Sequence, residues 1–187
     1  MSTTILYETL NDSTLSSPIN YALRQTFTDS SNYSLIEIIK DQIKPCIGCF
    51  GCWLKNPGHC ILNEDLISQT TPSFAQSDYI VLVSPIYYGC YSATMKRVID
   101  RSIPNLLPFF RKYKNEIHHE IRYKKLANQI ILAYGEDLSP NEKDTFTKLT
   151  KANATNFGIP DPIVYFCSQV EEIPSILEKI KKHIQMD

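Results

Sequence analysis

Apolar and polar positions alternate along the chain in blocks of two kinds. Residues 3–10 carry Ile5-Leu6-Tyr7 and predict a first strand, and 35–39 predict a short second one. Three later runs are uninterrupted: Ile80-Val81-Leu82-Val83 within 78–84, Ile130-Ile131-Leu132-Ala133, and Ile163-Val164-Tyr165-Phe166. Runs rich in β-branched residues suit strands buried on both faces, as in a parallel sheet. Helical spacing fills the intervals. Ser17-Pro18 predicts a helix start, with Ser as N-cap and Pro in the first helical position, followed by Ile19, Ala22 and Leu23. A helix is expected over 65–75, broken or kinked at Pro72. Another is expected over 93–103, with Met95, Val98 and Ile99 on one face, and a polar one over 140–154. Ile173, Ile176, Leu177, Ile180 and Ile184 form the apolar stripe of a last helix. Five strands alternating with helices imply an α/β doubly wound sheet in one domain, 1–187. Residues 104–125, basic and aromatic, read as one long connection, with extension of the preceding helix as the alternative.

Composition narrows the class. Of 187 residues 43% are hydrophobic and 21% charged, which excludes a disordered chain. Lys and Arg total 19 against 20 Asp and Glu, so no basic excess draws in a nucleic acid backbone. No basic segment followed by an apolar one opens the sequence, and no apolar run approaches the ~20 residues of a membrane helix. The expectation is a cytoplasmic chain with no nucleic acid and no membrane as partner.

In open α/β sheets, ligands bind beyond the carboxyl ends of the strands. The loop after the first strand offers Ser13, Thr14, Ser16 and Ser17, whose hydroxyls and backbone N–H groups at a helix start form an anion site; a capped helix start explains the same residues. It contains no Gly and is neither G-x-G-x-x-G nor Walker A. After the third strand comes Ser84-Pro85-Ile86-Tyr87-Tyr88-Gly89. Gly permits close approach of a flat ligand and Tyr stacks on one, unless the segment is simply a tight turn under aromatic cover. Tyr134-Gly135-Glu136-Asp137, after the fourth strand, is a candidate further wall.

Six Cys are present, and four form Cys46-x2-Cys49-x2-Cys52-x7-Cys60. In a reducing compartment such a cluster binds metal or does redox work sooner than it forms disulfides. The tight spacing lets thiolates converge on a cube of iron and sulfide. Tetrahedral zinc and free, half-buried thiols are the alternatives. The set follows the second strand and is expected beside the 84–89 loop. Cys90 and Cys167 read as packing residues. Trp53 reads as cover for the Cys loop, for a cofactor or for a dimer contact. His118-His119-Glu120 lacks the H-E-x-x-H spacing and reads as surface. Lys96 and Asp100 are an i,i+4 pair, and Arg97 and Arg101 read as solvating the same helix.

Ser84-Pro85-x-Tyr87-x-Gly89, continuing to Met95-Lys96-x-x-x-Asp100-Arg101, resembles the signature of the flavodoxin-like NAD(P)H-dependent FMN reductases. Pro45-Cys46-x-Gly48-Cys49-x-x-Cys52-Trp53, with Gly58-x-Cys60, Glu64-Asp65 and Arg122-Tyr123, resembles the Cys-rich branch of that family, which includes the iron-sulfur flavoproteins. The resemblance implies a flavodoxin-like, five-stranded parallel sheet of order 2-1-3-4-5. It implies FMN at the strand carboxyl ends, with phosphate in the first loop. Pro85, Ile86, Tyr87, Tyr88 and Gly89 would border the ring on one side, and Gly135 and Glu136 on the other. The first loop reads Leu10-Asn11-Asp12-Ser13 where the family commonly carries G-S-x-R, and an inward Asp12 would repel a phosphate. Cys46, Cys49, Cys52 and Cys60 would be ligands of a [4Fe–4S] cluster. The implied function is an FMN-binding oxidoreductase, a homodimer, passing electrons from NADH, NADPH or a protein donor to a small-molecule or protein acceptor. The flavin would carry the chemistry, so no catalytic side chain is expected. An electron carrier or redox sensor without NAD(P)H turnover, and a zinc-stabilised binding module, are the alternative functions.

Overall fold

The computed structural model describes residues 1–10, 13–27 and 32–186. In chain order these form β1 (Thr3–Glu8), α1 (Ser16–Thr26), β2 (Tyr33–Ile38), α2 (Gly51–Leu54), α3 (Ile67–Gln76), β3 (Tyr79–Tyr87) and β4 (Cys90–Tyr91). Then follow α4 (Ala93–Asp100), β5 (Leu106–Tyr113), β6 (Glu116–Ile121), β7 (Asn128–Tyr134), α5 (Pro140–Phe157), β8 (Ile163–Cys167) and α6 (Ile173–Met186). Five parallel strands lie in the order β2-β1-β3-β7-β8, which is the expected 2-1-3-4-5. β4 is a short antiparallel return on the end of β3.

Uninterrupted apolar runs are required because alternate side chains of one strand enter two different cores. From β3, Val81 and Val83 pack with Ile19 and Leu23 of α1 and Ile176 and Ile180 of α6. Ile80 and Leu82, one step along, pack with Phe74 of α3, Met95 and Val98 of α4 and Phe146 of α5. The two helical layers therefore cover both faces of the sheet, as the parallel arrangement demands.

Several sequence expectations need correction. α1 begins at Ser16, and Ser13 Oγ accepts from the N–H groups of Leu15 and Ser16, both at 3.3 Å, so Ser13 and not the exposed Ser17 serves its start. Pro18 then stands in the third helical position, where a missing N–H still costs no intrahelical bond. α3 runs unbroken through Pro72. Burial of Ile67 and Phe74 on either side of it in the apolar core works against the cost of an interior Pro, about 3 kcal/mol. α4 stops at Asp100, and a short 3₁₀ turn over Ile103–Asn105 follows.

The long connection is not a helical extension. β5 and β6 pair antiparallel as a hairpin, joined through Lys114 and Asn115 at φ 49° and 64°. Two successive left-handed residues are what a type I′ turn requires. The strand alternation was masked by a register irregularity between Leu106 and Phe110. The histidines here are not plain surface residues. His118 has a side chain only 9% exposed, with its ring nitrogens 2.8 Å from Asn156 Oδ1 and 2.9 Å from Glu116 Oε2. His119 lies between Phe110 and Trp53, ring centroids 4.7 and 4.8 Å away. No helix among the described residues is long and apolar enough to cross a membrane.

Asp78 ties the chain start to the sheet. Its carboxylate accepts from Lys125 Nζ at 2.6 Å and from the Ser2 backbone N–H at 3.0 Å. The Lys125 bond and then the Ser2 N–H hold its pKa down at about 2. A depressed carboxyl stabilises the fold above its ordinary pKa near 3.8, and that contribution disappears as pH falls through about 2. Asp78→Asn is therefore expected to be less stable than the parent at pH 6, with the difference shrinking between pH 4 and 2, as read by urea unfolding at each pH. A difference independent of pH would contradict this role.

Candidate functional site

The carboxyl ends of β1, β3 and β7 open onto one cleft of about 320 Å³. That is within the usual range for small-molecule sites. Its walls are Leu10 and Ser13 from the first loop, Pro85, Ile86 and Tyr87 from the end of β3, residues 134–138 after β7, and Glu142 at the start of α5. Pro85 and Ile86 are buried, while Tyr87 is half exposed. The chain reverses at Tyr88 and Gly89, φ 52° and 72°, so that Tyr87 pairs with Cys90. A Cβ at Gly89 would lie 2.8 Å from Thr145 Cβ and 3.3 Å from the Glu142 carbonyl, so the turn approaches α5 only with glycine there. A Cβ at Gly135 would meet Leu138 Cδ2 at 2.8 Å, and its absence keeps that wall flat.

Of the residues expected to hold the cofactor, Ser13, Pro85, Ile86, Tyr87, Gly135 and Glu136 line this cleft. Thr14 is tied to it through Glu136: the Thr14 N–H and Oγ1–H both donate to Glu136 Oε1, at 3.0 and 2.6 Å. Those bonds, the hydroxyl first, hold the Glu136 carboxyl below the usual range. Ser16, Ser17, Tyr88 and Gly89 are outside the lining. Ser16 is buried, and its Oγ accepts from the Leu10 N–H at 2.8 Å. Tyr88 is 93% exposed at the tip of its turn. Asn11 and Asp12, including the expected repulsion of phosphate by Asp12, lie outside the described residues. Leu138 and Glu142 were missed from sequence, because they reach the cleft from a helix start that the linear pattern assigns to another element.

A buried polar network sets these loops relative to one another. Glu8, 4% exposed, accepts through its carboxylate from Ser92 Oγ, and its carbonyl accepts from Tyr134 Oη at 3.4 Å. Ser92 Oγ in turn accepts from the Met95 N–H at 2.9 Å, capping α4. The Ser92 N–H donates to Ser84 Oγ at 3.3 Å, and that hydroxyl donates to the Pro85 carbonyl at 2.9 Å. The ends of β1, β3 and β7 and the start of α4 thus share one cluster of bonds.

The four candidate metal ligands line a second, mostly apolar pocket of about 40 Å³ together with Arg101. It shares no lining residue with the cleft. Burial, then the neighbouring Cys60, Cys46 and Cys49, push the Cys52 thiol up. Among the described residues no three Cys, His, Asp or Glu side chains converge tightly enough to hold a metal ion. By chemistry the donor set fits an iron-sulfur cluster or zinc: four Cys and no carboxylate are among the residues lining one mostly apolar pocket. Cys167 is buried, as expected of a packing residue, and Cys90 is half-buried.

Two arginines expected to solvate α4 do otherwise. Arg97 Nη1 donates to the Lys40 and Ile43 carbonyls at 2.7 and 3.1 Å. Arg101 has no exposed side-chain surface. Its Nη1 donates to Asp65 and to the Lys44 carbonyl at 3.1 Å, and its Nη2 donates to the Leu62 carbonyl and to Cys60 Sγ at 3.2 Å. On the far side of the Cys segment, Arg122 Nε donates to the Pro104 carbonyl at 2.8 Å, and Trp53 Nε1 to the Leu106 carbonyl at 3.0 Å. Trp53, half-buried, thus joins the Cys loop to the hairpin.

Known proteins agree with this arrangement. An iron-sulfur flavoprotein of Methanocaldococcus jannaschii is 31% identical over 91 residues, which are 49% of this chain and 46% of that protein. An iron-sulfur flavoprotein of Archaeoglobus fulgidus is 30% identical over 86 residues, 46% of this chain and 38% of that protein. The matched stretches thus span less than half the length of these relatives. An FMN-dependent NADH-azoreductase from Bacillus anthracis, solved with FMN, superposes with a TM-score of 0.60 at 13% identity, covering 96% of this chain and 99% of that one. An NAD(P)H:quinone oxidoreductase from Methanothermobacter marburgensis gives 0.63 at 10% identity, covering 97% of this chain and 94% of that one. At such identities the superpositions establish the flavodoxin-like fold. The sequence profile of NADPH-dependent FMN reductases matches residues 10–151, from the first loop through most of α5, and the chain belongs to that family.

Proposed function

We propose that the chain is an FMN-binding oxidoreductase, a homodimer, that passes electrons from NADH, NADPH or a protein donor to a small-molecule or protein acceptor. The observation that carries this is the cleft at the ends of β1, β3 and β7, next to a turn that approaches α5 only with glycine at position 89, in a member of the FMN reductase family. Bound FMN supplies the hydride and electron chemistry. The chain's own residues bind and orient. Pro85, Ile86 and Gly135 offer walls that exclude water from a ring, with Tyr87 at its edge. Ser13 and Thr14 bring hydroxyls and backbone N–H groups to the start of α1, the donors a phosphate needs. Cys46, Cys49, Cys52 and Cys60 are the ligands of a [4Fe–4S] cluster, consistent with the iron-sulfur flavoprotein relatives. With that cluster the chain works as a one-electron relay, and without it as a two-electron reductase.

The direct test is titration of flavin-free protein with FMN, followed by rapid mixing with NADH or NADPH. Stoichiometric binding and rapid bleaching of the flavin are expected. Binding without bleaching would favour the electron carrier, and failure to bind FMN would overturn the proposal. A second expectation concerns Glu136, whose carboxylate occupies both donors of Thr14. Glu136→Gln removes a charge that competes with phosphate, and FMN should bind more tightly by up to about fivefold. Riboflavin, which lacks the phosphate, should bind as before. Equal tightening of both flavins would place the phosphate elsewhere.

A further inference from the structure

Arg101 combines three properties that a surface clamp does not need. Its side chain is wholly buried, it has one carboxylate partner, and one of its N–H groups is directed at a candidate cluster ligand. Burying a guanidinium is costly unless charge and hydrogen bonds compensate it. Asp65, 6% exposed, supplies the counter-charge, but its carboxylate also accepts from the Lys44 and Ile67 N–H groups, at 2.9 and 3.2 Å. The Lys44 and Leu62 carbonyls take two further bonds. Nη2 also faces Cys60 Sγ at 3.2 Å, and Nε is buried without a partner.

A thiol is a weak acceptor, so an N–H aimed at it contributes little while the sulfur stays protonated. A thiolate bound to iron is a charged acceptor, and the same contact becomes a charge-assisted bond. A cluster held by four thiolates carries net negative charge that grows by one on reduction. A buried guanidinium beside it, donating to a ligand sulfur, stabilises the reduced form more than the oxidised one.

We propose that Arg101 is a positioning residue of the four-thiol site, orienting Cys60 through Nη2–H···Sγ and raising the reduction potential of the cluster. This rests on the cluster assigned above. The step concerned is a one-electron reduction, [4Fe–4S]²⁺ to [4Fe–4S]⁺, with the electron supplied in the test by dithionite; no bond breaks and no proton moves. Lysine keeps the charge but lacks the planar fork that reaches Asp65, two carbonyls and a sulfur together.

The test uses the whole chain reconstituted anaerobically with ferrous iron and sulfide, labelled with ¹⁵N-arginine and compared with Arg101→Lys and Arg101→Gln. The reduced parent should show hyperfine coupling between its cluster and an arginine nitrogen, and Arg101→Lys should lose that coupling. The Lys variant's potential should fall enough to lower the reduced-to-oxidised ratio about tenfold at fixed potential, about 59 mV for one electron. Thermal melting of the cluster-free proteins checks folding. Should Arg101→Gln fail to fold, the labelled parent and the Lys variant still decide. An intact cluster with no arginine coupling and an unchanged potential in Arg101→Lys overturns the role of Arg101 while leaving the cluster standing. Absence of iron and acid-labile sulfide from the parent overturns both.

Discussion

Burial of β3 on both faces and both edges is the constraint from which the rest follows. Eight of its nine residues are buried. It pairs in parallel with β1 on one side and β7 on the other, Val81 standing opposite both Ile5 and Ile130. A strand held this way has no freedom of register, because a one-residue slip would exchange the side chains of two cores. Its carboxyl end is therefore fixed against the ends of β1 and β7, and the loops after those strands are brought together. The cleft is a consequence of that meeting.

The same constraint reaches the four thiols by a mechanical route. The turn at Tyr88 and Gly89 returns the chain to Ser92, which caps α4 and donates to the buried carboxylate of Glu8. α4 spans eight residues, about 12 Å, with Arg97 in its last turn and Arg101 directly after it. Those two side chains hold the carbonyls of Lys40, Ile43, Lys44 and Leu62, and so both ends of the Cys-bearing segment. Cleft and thiol pocket share no wall, yet both are referred to β3 through one short helix. Electron exchange between a flavin and a cluster would need such fixed geometry.

Much of the fold was legible because its strongest signals are local. Continuous β-branched runs predict doubly buried strands, and the stripe from Ile173 to Ile184 predicts α6. The hairpin was not legible. Lys114-Asn115 lacks the usual glycine of a type I′ turn, and its strands carry basic and aromatic residues without clean alternation. At the cleft, Pro85, Ile86 and Tyr87 were legible because they close β3, and Gly135 and Glu136 because they follow β7. Glu142 was missed because a capping residue gives no hint of what lies beyond it. Arg101 was misread for a related reason: charge on a helix normally means solvent, and the Asp65 partner that permits its burial lies thirty-six residues earlier in the chain.

The central claim is that a flavin phosphate and ring lie across the ends of β1, β3 and β7. Hydrogen exchange of backbone amides with and without FMN tests this most directly. The account predicts slowed exchange in the loop ahead of α1, in 85–89 and in 135–138, with the amides of the Cys segment unchanged by flavin within one chain. Protection centred on the Cys segment or the hairpin, with the three strand-end loops unaffected, would contradict it.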